Sequence, residues 1–233
     1  EDDPVGVIEN GLSTIAGVDL KRDFAYDGTA SKRPLSKDAA TNGSDRAAAL
    51  FDGGSGSPDD ELVGPNQPTG GASTWIYVAR NLDSIKGSHY SRATGNQYLV
   101  KTGSEYLAGS GDDMRIVAHT SSSAPPNDED PLFGMQSGIG EPMPGGGEVW
   151  EIITLRRDGK TWSLRWNGIQ GESTFLNDGV FDTSRIGPSV NSDFEFDGYL
   201  GCRLRYTRAL SDAEVALVEA GLAAEWGITL GSS

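Results

Sequence analysis

Apolar and polar residues alternate along several stretches of this chain and recur at helical spacing in one. After Gly198, residues Leu200, Cys202, Leu204 and Tyr206 fall on one side, and Gly201, Arg203, Arg205 and Thr207 on the other. That alternation predicts a half-buried strand. Ser211 stands three residues before Glu214, the spacing of a capping box, in which hydroxyl and carboxylate satisfy free amides of a first helical turn. Val215, Val218, Leu222 and Trp226 then trace one helical stripe, and Gly227 stops it. Residues 74–80 read as a strand with Trp75, Tyr77 and Ala79 on one face and Ile76 and Val78 on the other. With both faces apolar, the expected place is the middle of a sheet. Residues 149–156 and 161–166 form the clearest hairpin, with Asp158-Gly159 as a positive-φ turn. On its second strand Trp162, Leu164 and Trp166 oppose Thr161, Ser163 and Arg165, and Asn167-Gly168 turns the chain again.

Elsewhere the pattern is looser. Residues 87–107 suggest one or two strands broken at 93–96, and residues 114–119 another strand. Residues 121–147 are rich in proline and glycine and read as a long loop, the kind that binds or moves. The first seventy residues are the least regular: residues 4–8 could form a short strand, while 59–61 and 64–72 are loop. The prediction is an all-β domain over 1–233, two antiparallel sheets around one core with a C-terminal helix, in which 1–72 is an irregular opening segment.

Three motifs resemble those of concanavalin A-like, LamG-type jelly-roll domains. Asp197-Gly198-Tyr199-Leu200-Gly201, then Tyr206, Arg208, Leu210-Ser211 and Glu214, then Trp226-Gly227-Ile228, are similar to the family's closing strand and helix. Pro4-Val5-Gly6, Arg33-Pro34-Leu35 and Phe51-Asp52-Gly53 resemble its opening pattern, although Leu35 follows Pro34 directly and Phe51 follows Leu50 directly. Trp150, Ile153, Leu155, Asp158-Gly159, Leu164 and Asn167-Gly168 match its hairpin. The resemblance implies a concanavalin A-like jelly-roll sandwich. Such domains occur in secreted bacterial proteins and in phage virion proteins. The fold carries lectins, glycosidases, lyases and structural modules alike, so it implies no one activity.

Charge narrows the partners. Nineteen basic residues against 34 acidic ones give a net charge of -15, a surface that repels nucleic acid and anionic lipid. No run approaches the roughly 20 apolar residues that span a bilayer, and no signal-like segment opens the chain. A start at Glu1 suggests a processed chain or a piece of a longer one. Cys202 is alone, so no internal disulfide forms, and its place on an apolar face predicts a buried, inert thiol.

Catalytic sets are incomplete. Retaining glucanases on this fold place carboxylates on alternate residues of one strand. Glu195 and Asp197 supply two of them, but Tyr199 and Leu200 stand where the acid/base belongs. His89 and His119 belong to no metal-ligand or triad motif. No catalytic residue is therefore assigned. Calcium is the cofactor that acidic loops could take, with Asp59, Asp60, Asp112 and Asp113 as candidate ligands and residues 128–130 as a further cluster. Tyr90, Tyr98 and Tyr106, in a polar, glycine-rich region, are the candidate aromatic platform for a sugar. The expectation is a non-catalytic LamG-like module for attachment or display, extracellular or on a virion surface (tail, spike or head decoration). Its expected partners are a surface glycan or other virion or surface proteins, in a possible homo-oligomer. The alternatives are a purely structural assembly protein and a glycoside hydrolase or polysaccharide lyase.

Overall fold

The computed structural model describes residues 43, 44, 46–51, 71–80, 149–159, 161, 163–170 and 198–231 with their side chains. It describes the backbone alone of the strand residues 7–9, 22–26, 35–37, 62–63, 81, 87–88, 98–103, 115–119, 133–136, 162, 175–176 and 185–186. The strands in chain order are β1 (Val7–Glu9), β2 (Arg22–Tyr26), β3 (Leu35–Lys37), β4 (Ala48–Phe51), β5 (Leu62–Val63), β6 (Ala72–Asn81), β7 (Gly87–Ser88) and β8 (Tyr98–Gly103). They continue with β9 (Arg115–His119), β10 (Phe133–Gln136), β11 (Glu151–Asp158), β12 (Thr161–Trp166), β13 (Ile169–Gln170), β14 (Phe175–Leu176), β15 (Arg185–Ile186) and β16 (Gly198–Tyr206). Helix α1 (Asp212–Trp226) closes the chain.

The central sheet has the order β13-β12-β11-β6-β16-β4-β3, with β14 also paired to β12. Smaller sheets run β1-β2-β5-β15 and β10-β9-β8-β7, and every pairing is antiparallel. The crossovers that set β16 between β6 and β4, far apart in sequence, give an all-β jelly-roll sandwich with one helix at its C-terminus.

Strand β6 is central and buried on both faces, as its two-sided apolar pattern predicts. Trp75 and Tyr77 on one side, and Ile76 and Val78 on the other, are fully buried. The hairpin of β11 and β12 also stands as predicted, pairing Ile153 with Trp166 and Asp158 with Thr161. Asp158 is thus a strand residue and Gly159, at φ 59°, starts the turn. At Asn167-Gly168 both φ angles are positive, 44° and 85°, the primed-turn geometry that suits strand twist. The Asn167 side chain extends the ladder, its Oδ1 accepting from the Ile152 amide at 2.7 Å.

Two expectations change. The stretch 121–147 is not loop throughout, because residues 133–136 pair with β9. Four residues flanked by proline and glycine are too short for alternation to reveal. Strand β16 does not keep a single alternation either. Its register with β6 shifts between Leu200, opposite Ala79, and Cys202, opposite Val78, so Gly201 is an extra, bulged residue. The bulge turns Tyr199, with Cys202, Leu204 and Tyr206, toward the helix and leaves Leu200 on the other face. Arg203 is not on a solvated face: it is 2% exposed, its guanidinium 6.0 Å from the Tyr77 ring centre.

Helix α1 forms as the capping box and the apolar stripe predict. The Ser211 Oγ accepts from the Glu214 amide at 3.3 Å, and Glu214 Oε2 accepts from the Ser211 amide at 2.8 Å. Gly227, left-handed at φ 66°, ends the helix. Val215, Val218, Leu222, Ala223 and Trp226 pack on Ile76, Val78, Ile152, Leu204 and Tyr206 in one core cluster. Trp226 lies 4.6 Å from Trp150 between ring centres, tilted 47°. One buried residue in this stripe is charged: Glu219, 1% exposed, accepts from the Thr154 hydroxyl at 2.8 Å and from Arg165 at 3.0–3.2 Å.

The bulge and the helix are matched. A Cβ at Gly201 would lie 2.3 Å from the Trp226 ring, so only glycine lets the indole seat. At Gly221, by contrast, a Cβ would meet nothing within 4 Å. Gly201→Ala should therefore destabilise the fold by about 2–3 kcal/mol, the cost of overpacking a rigid core. Gly221→Ala should stabilise it by about 0.5–1 kcal/mol through helix propensity. Urea unfolding of the two variants measures both, and equal midpoints would mean that the Trp226 seat does not carry the docking of α1.

Candidate functional site

The connection from β16 to α1 is held in place from the sheet. Thr74, on the helix-facing side of β6, donates its hydroxyl to the Arg208 carbonyl at 3.1 Å and accepts from the Leu210 amide at 3.0 Å. Arg156 reaches up from β11, the strand that pairs with β6. Its Nη1 donates to the Leu210 carbonyl at 3.1 Å and to the Asp212 carboxylate, and its Nε donates to Ser163 Oγ at 3.3 Å. These contacts fix the first turn of α1 against the end of the β11–β12 hairpin.

Between them lies an open cleft of about 550 Å³. Arg156, Asp158, Thr161 and Ser163 line it from the hairpin, and residues 209–212 with Glu214 from the connection and helix. The hairpin residues share the helix-facing side of the sheet, beyond its apolar part: register sets Arg156 opposite Ser163 and Asp158 opposite Thr161. Three carboxylates and one guanidinium therefore surround the two hairpin hydroxyls. Two carboxylates are tied up, Asp212 by Arg156 and Glu214 by Arg208 at 2.7 and 2.9 Å.

Arg208, then the Ser211 amide and hydroxyl, hold the Glu214 carboxyl down at about 2. Hydrogen bonding to Glu214 in turn pushes the Arg208 guanidinium up. A general acid needs the opposite shift, upward toward neutrality, so Glu214 cannot serve as one. The cleft offers hydrogen bonds and one uncommitted carboxylate. Outside it, burial pushes Glu151, on the face of β11 turned away from the helix, up to about 8. Cys202 is half-buried rather than fully buried as expected, and desolvation still pushes its thiol up to about 12, away from a reactive thiolate.

Of the residues singled out from sequence, Tyr98 lies in β8, paired in register with His119 of β9. Tyr90, Tyr106, Asp59, Asp60, Asp112 and Asp113 lie outside the described residues, as do residues 128–130, Glu195, Asp197 and His89. Among the described residues no group of three or more metal-ligating side chains occurs. Sequence reasoning missed the cleft, although its parts were visible as the polar face Thr161, Ser163, Arg165 and the capping box at Ser211. Only the fold shows that they adjoin.

No protein-family model matches the chain, and no curated protein matches it either. Solved structures do share its fold. A heptameric SAP-like pentraxin from Limulus polyphemus superposes with a TM-score of 0.50 at 15% identity, over 68% of this chain and 74% of its own. The receptor-binding domain of botulinum neurotoxin type G does so at 0.50 and 10% identity, over 94% of this chain and 51% of its own. A Trypanosoma rangeli sialidase gives 0.50 and 12%, over 94% of this chain and 33% of its own. At such identities the likeness is one of fold.

The two shifted carboxyls predict a stability maximum in pH. Glu214 is lowered from 4.5 to about 2, so its contribution is full above pH 4.5 and lost as pH falls through about 2. Glu151 is raised from 4.5 to about 8, so the folded state holds a proton the unfolded state gives up, and stability falls as pH rises across that interval. Urea midpoints should climb up to pH 4.5 and decline toward 8. Glu214→Gln should flatten the acid limb and Glu151→Gln the other. An unchanged decline in Glu151→Gln would exclude that carboxyl as its source.

Proposed function

We propose that this chain is a non-catalytic, LamG-like jelly-roll module that binds a glycan and serves attachment or display on a virion or secreted bacterial surface. The observation that carries this reading is the cleft at the start of α1, whose volume suits one or two sugar rings and whose lining is hydroxyl, carboxylate and guanidinium. Sharing its fold with a toxin's receptor-binding domain and with a sialidase supports a recognition role on a sugar-bearing surface. Against catalysis by Glu214 stands its pairing with Arg208, which holds its carboxyl down at about 2, the wrong direction for a general acid. Calcium, held by Asp59 and Asp60 or by Asp112 and Asp113, is part of the proposal.

A second reading, a structural module in an assembly, is favoured by the outer face of α1. Ala213, Ala216, Leu217, Ala220, Gly221 and Ala224 are all exposed there, Leu217 by 74%. A face this apolar on a chain of net charge -15 is where a protein contact would form.

A glycan array probed with the purified chain, with calcium and with a chelator, tests the first reading. Binding to a defined glycan without its cleavage is the expected result, and loss on chelation would point to the acidic loops. No binding under either condition, together with self-association that Leu217→Glu abolishes in sedimentation, would replace it with the second.

A further inference from the structure

We infer that the cleft at the start of α1 selects glycans that carry a free ammonium, an unacetylated amino sugar, over anionic ones. This rests on the glycan-binding reading and names the ligand class of that same cleft. Arg156 is the one cationic side chain in the lining, and its Nε and Nη1 already serve Ser163, the Leu210 carbonyl and Asp212. Among the described residues its Nη2 is left over, but its charge is already paired with Asp212, and a sialic acid or sulfate would meet it within a ring of carboxylates. Glu214 is likewise held by Arg208. Among the described residues Asp158 is the one lining carboxylate that no arginine holds, and it is exposed at the rim. Among the described residues the lining thus keeps one negative charge that no cation pairs.

The cleft also holds a polar group that points to a ligand. Ser163 lines it and is 6% exposed. Its Oγ accepts from Arg156, so its hydroxyl proton is left to donate, and among the described residues no acceptor takes it. A buried hydroxyl with an unspent donor favours a ligand oxygen. Thr161, opposite Asp158 across the hairpin end, offers a second hydroxyl beside the carboxylate. A sugar ring fits this set: ring or hydroxyl oxygen on Ser163, a neighbouring hydroxyl on Thr161, and a protonated amine on Asp158.

The test is isothermal titration near pH 6, where an amino sugar carries its proton, using a glucosamine tetrasaccharide, its N-acetylated counterpart and sialyllactose. Asp158→Asn is compared with Glu225→Gln, which removes the same charge from the last turn of α1. Glu225 lies about three turns beyond Glu214, outside the cleft lining, where it meets Arg46 at 3.3 Å. The expected result is preference for the free amine, weakened about five- to tenfold by Asp158→Asn and unchanged by Glu225→Gln. Equal binding of the acetylated sugar, preference for sialyllactose, or equal effects of both variants would overturn the inference while leaving glycan binding in place. No binding of any probe, with none on a broad array, would overturn both.

Discussion

The docking of α1 onto the central sheet is the contact on which the rest depends. It has an apolar part and a charged part. The apolar part is a knob in a hole: Trp226 over Gly201, with Trp150 4.6 Å away and Tyr199 a further ring beside Trp150. The charged part is Glu219, buried among Thr154 and Arg165. Removing a carboxylate and a guanidinium from water costs several kcal/mol each, and their attraction offsets this only with good geometry. Here the geometry is a forked contact from Nε and Nη2 of one arginine, with a hydroxyl on the same carboxylate and the Gly168 carbonyl on Nη2. Such a pair adds little net stability over a hydrophobic substitute. It does set where the helix can lie, because any slide of α1 would leave a buried charge unpaired.

That constraint passes directly to the cleft. The first turn of α1 is placed by Trp226 and Glu219 from behind and by Thr74 and Arg156 from below. The cleft walls are therefore a strand pair and a capped helix start, with no wall that must fold when a ligand arrives. Recognition by a surface already ordered saves the conformational entropy that a loop-built site must lose.

The other face of the sheet follows a different rule. Arg157 and Arg203 are buried there beside Trp75 and Tyr77, and Glu151 is raised to about 8. Arg203 is buried there on the side its alternation gives it, although arginine belongs on the wet side of a half-buried strand. The explanation is that no face of β16 is wet: α1 covers one and the sandwich the other. Alternation in sequence reports a difference between two faces, and here the difference is between an apolar interior and a polar one.

Much of the architecture was nonetheless legible. The β11–β12 hairpin, the Asn167-Gly168 turn and the capping box stand where local rules put them, since each rests on contacts within one short stretch, while β6 and the helical stripe show as apolar patterns whatever partner covers them. What was hidden rests on distant pairings. Glu219 occupies an apolar stripe for the sake of Arg165, 54 residues away. Arg156 reads as a strand-end cation until Asp212, 56 residues on, lies against it. The cleft shares that cause: Thr161, Ser163 and Asp158 look like ordinary outward residues of a hairpin, and Ser211 and Glu214 like an ordinary cap. An acidic chain would be expected to present carboxylates at such a junction and to draw cations to all of them equally. The structure breaks that equivalence by giving Asp212 and Glu214 an arginine each, which turns a general negative potential into one directed charge at Asp158. Selectivity for a cation at one position can arise this way without any residue dedicated to it, provided the two arginines stay where the docked helix holds them.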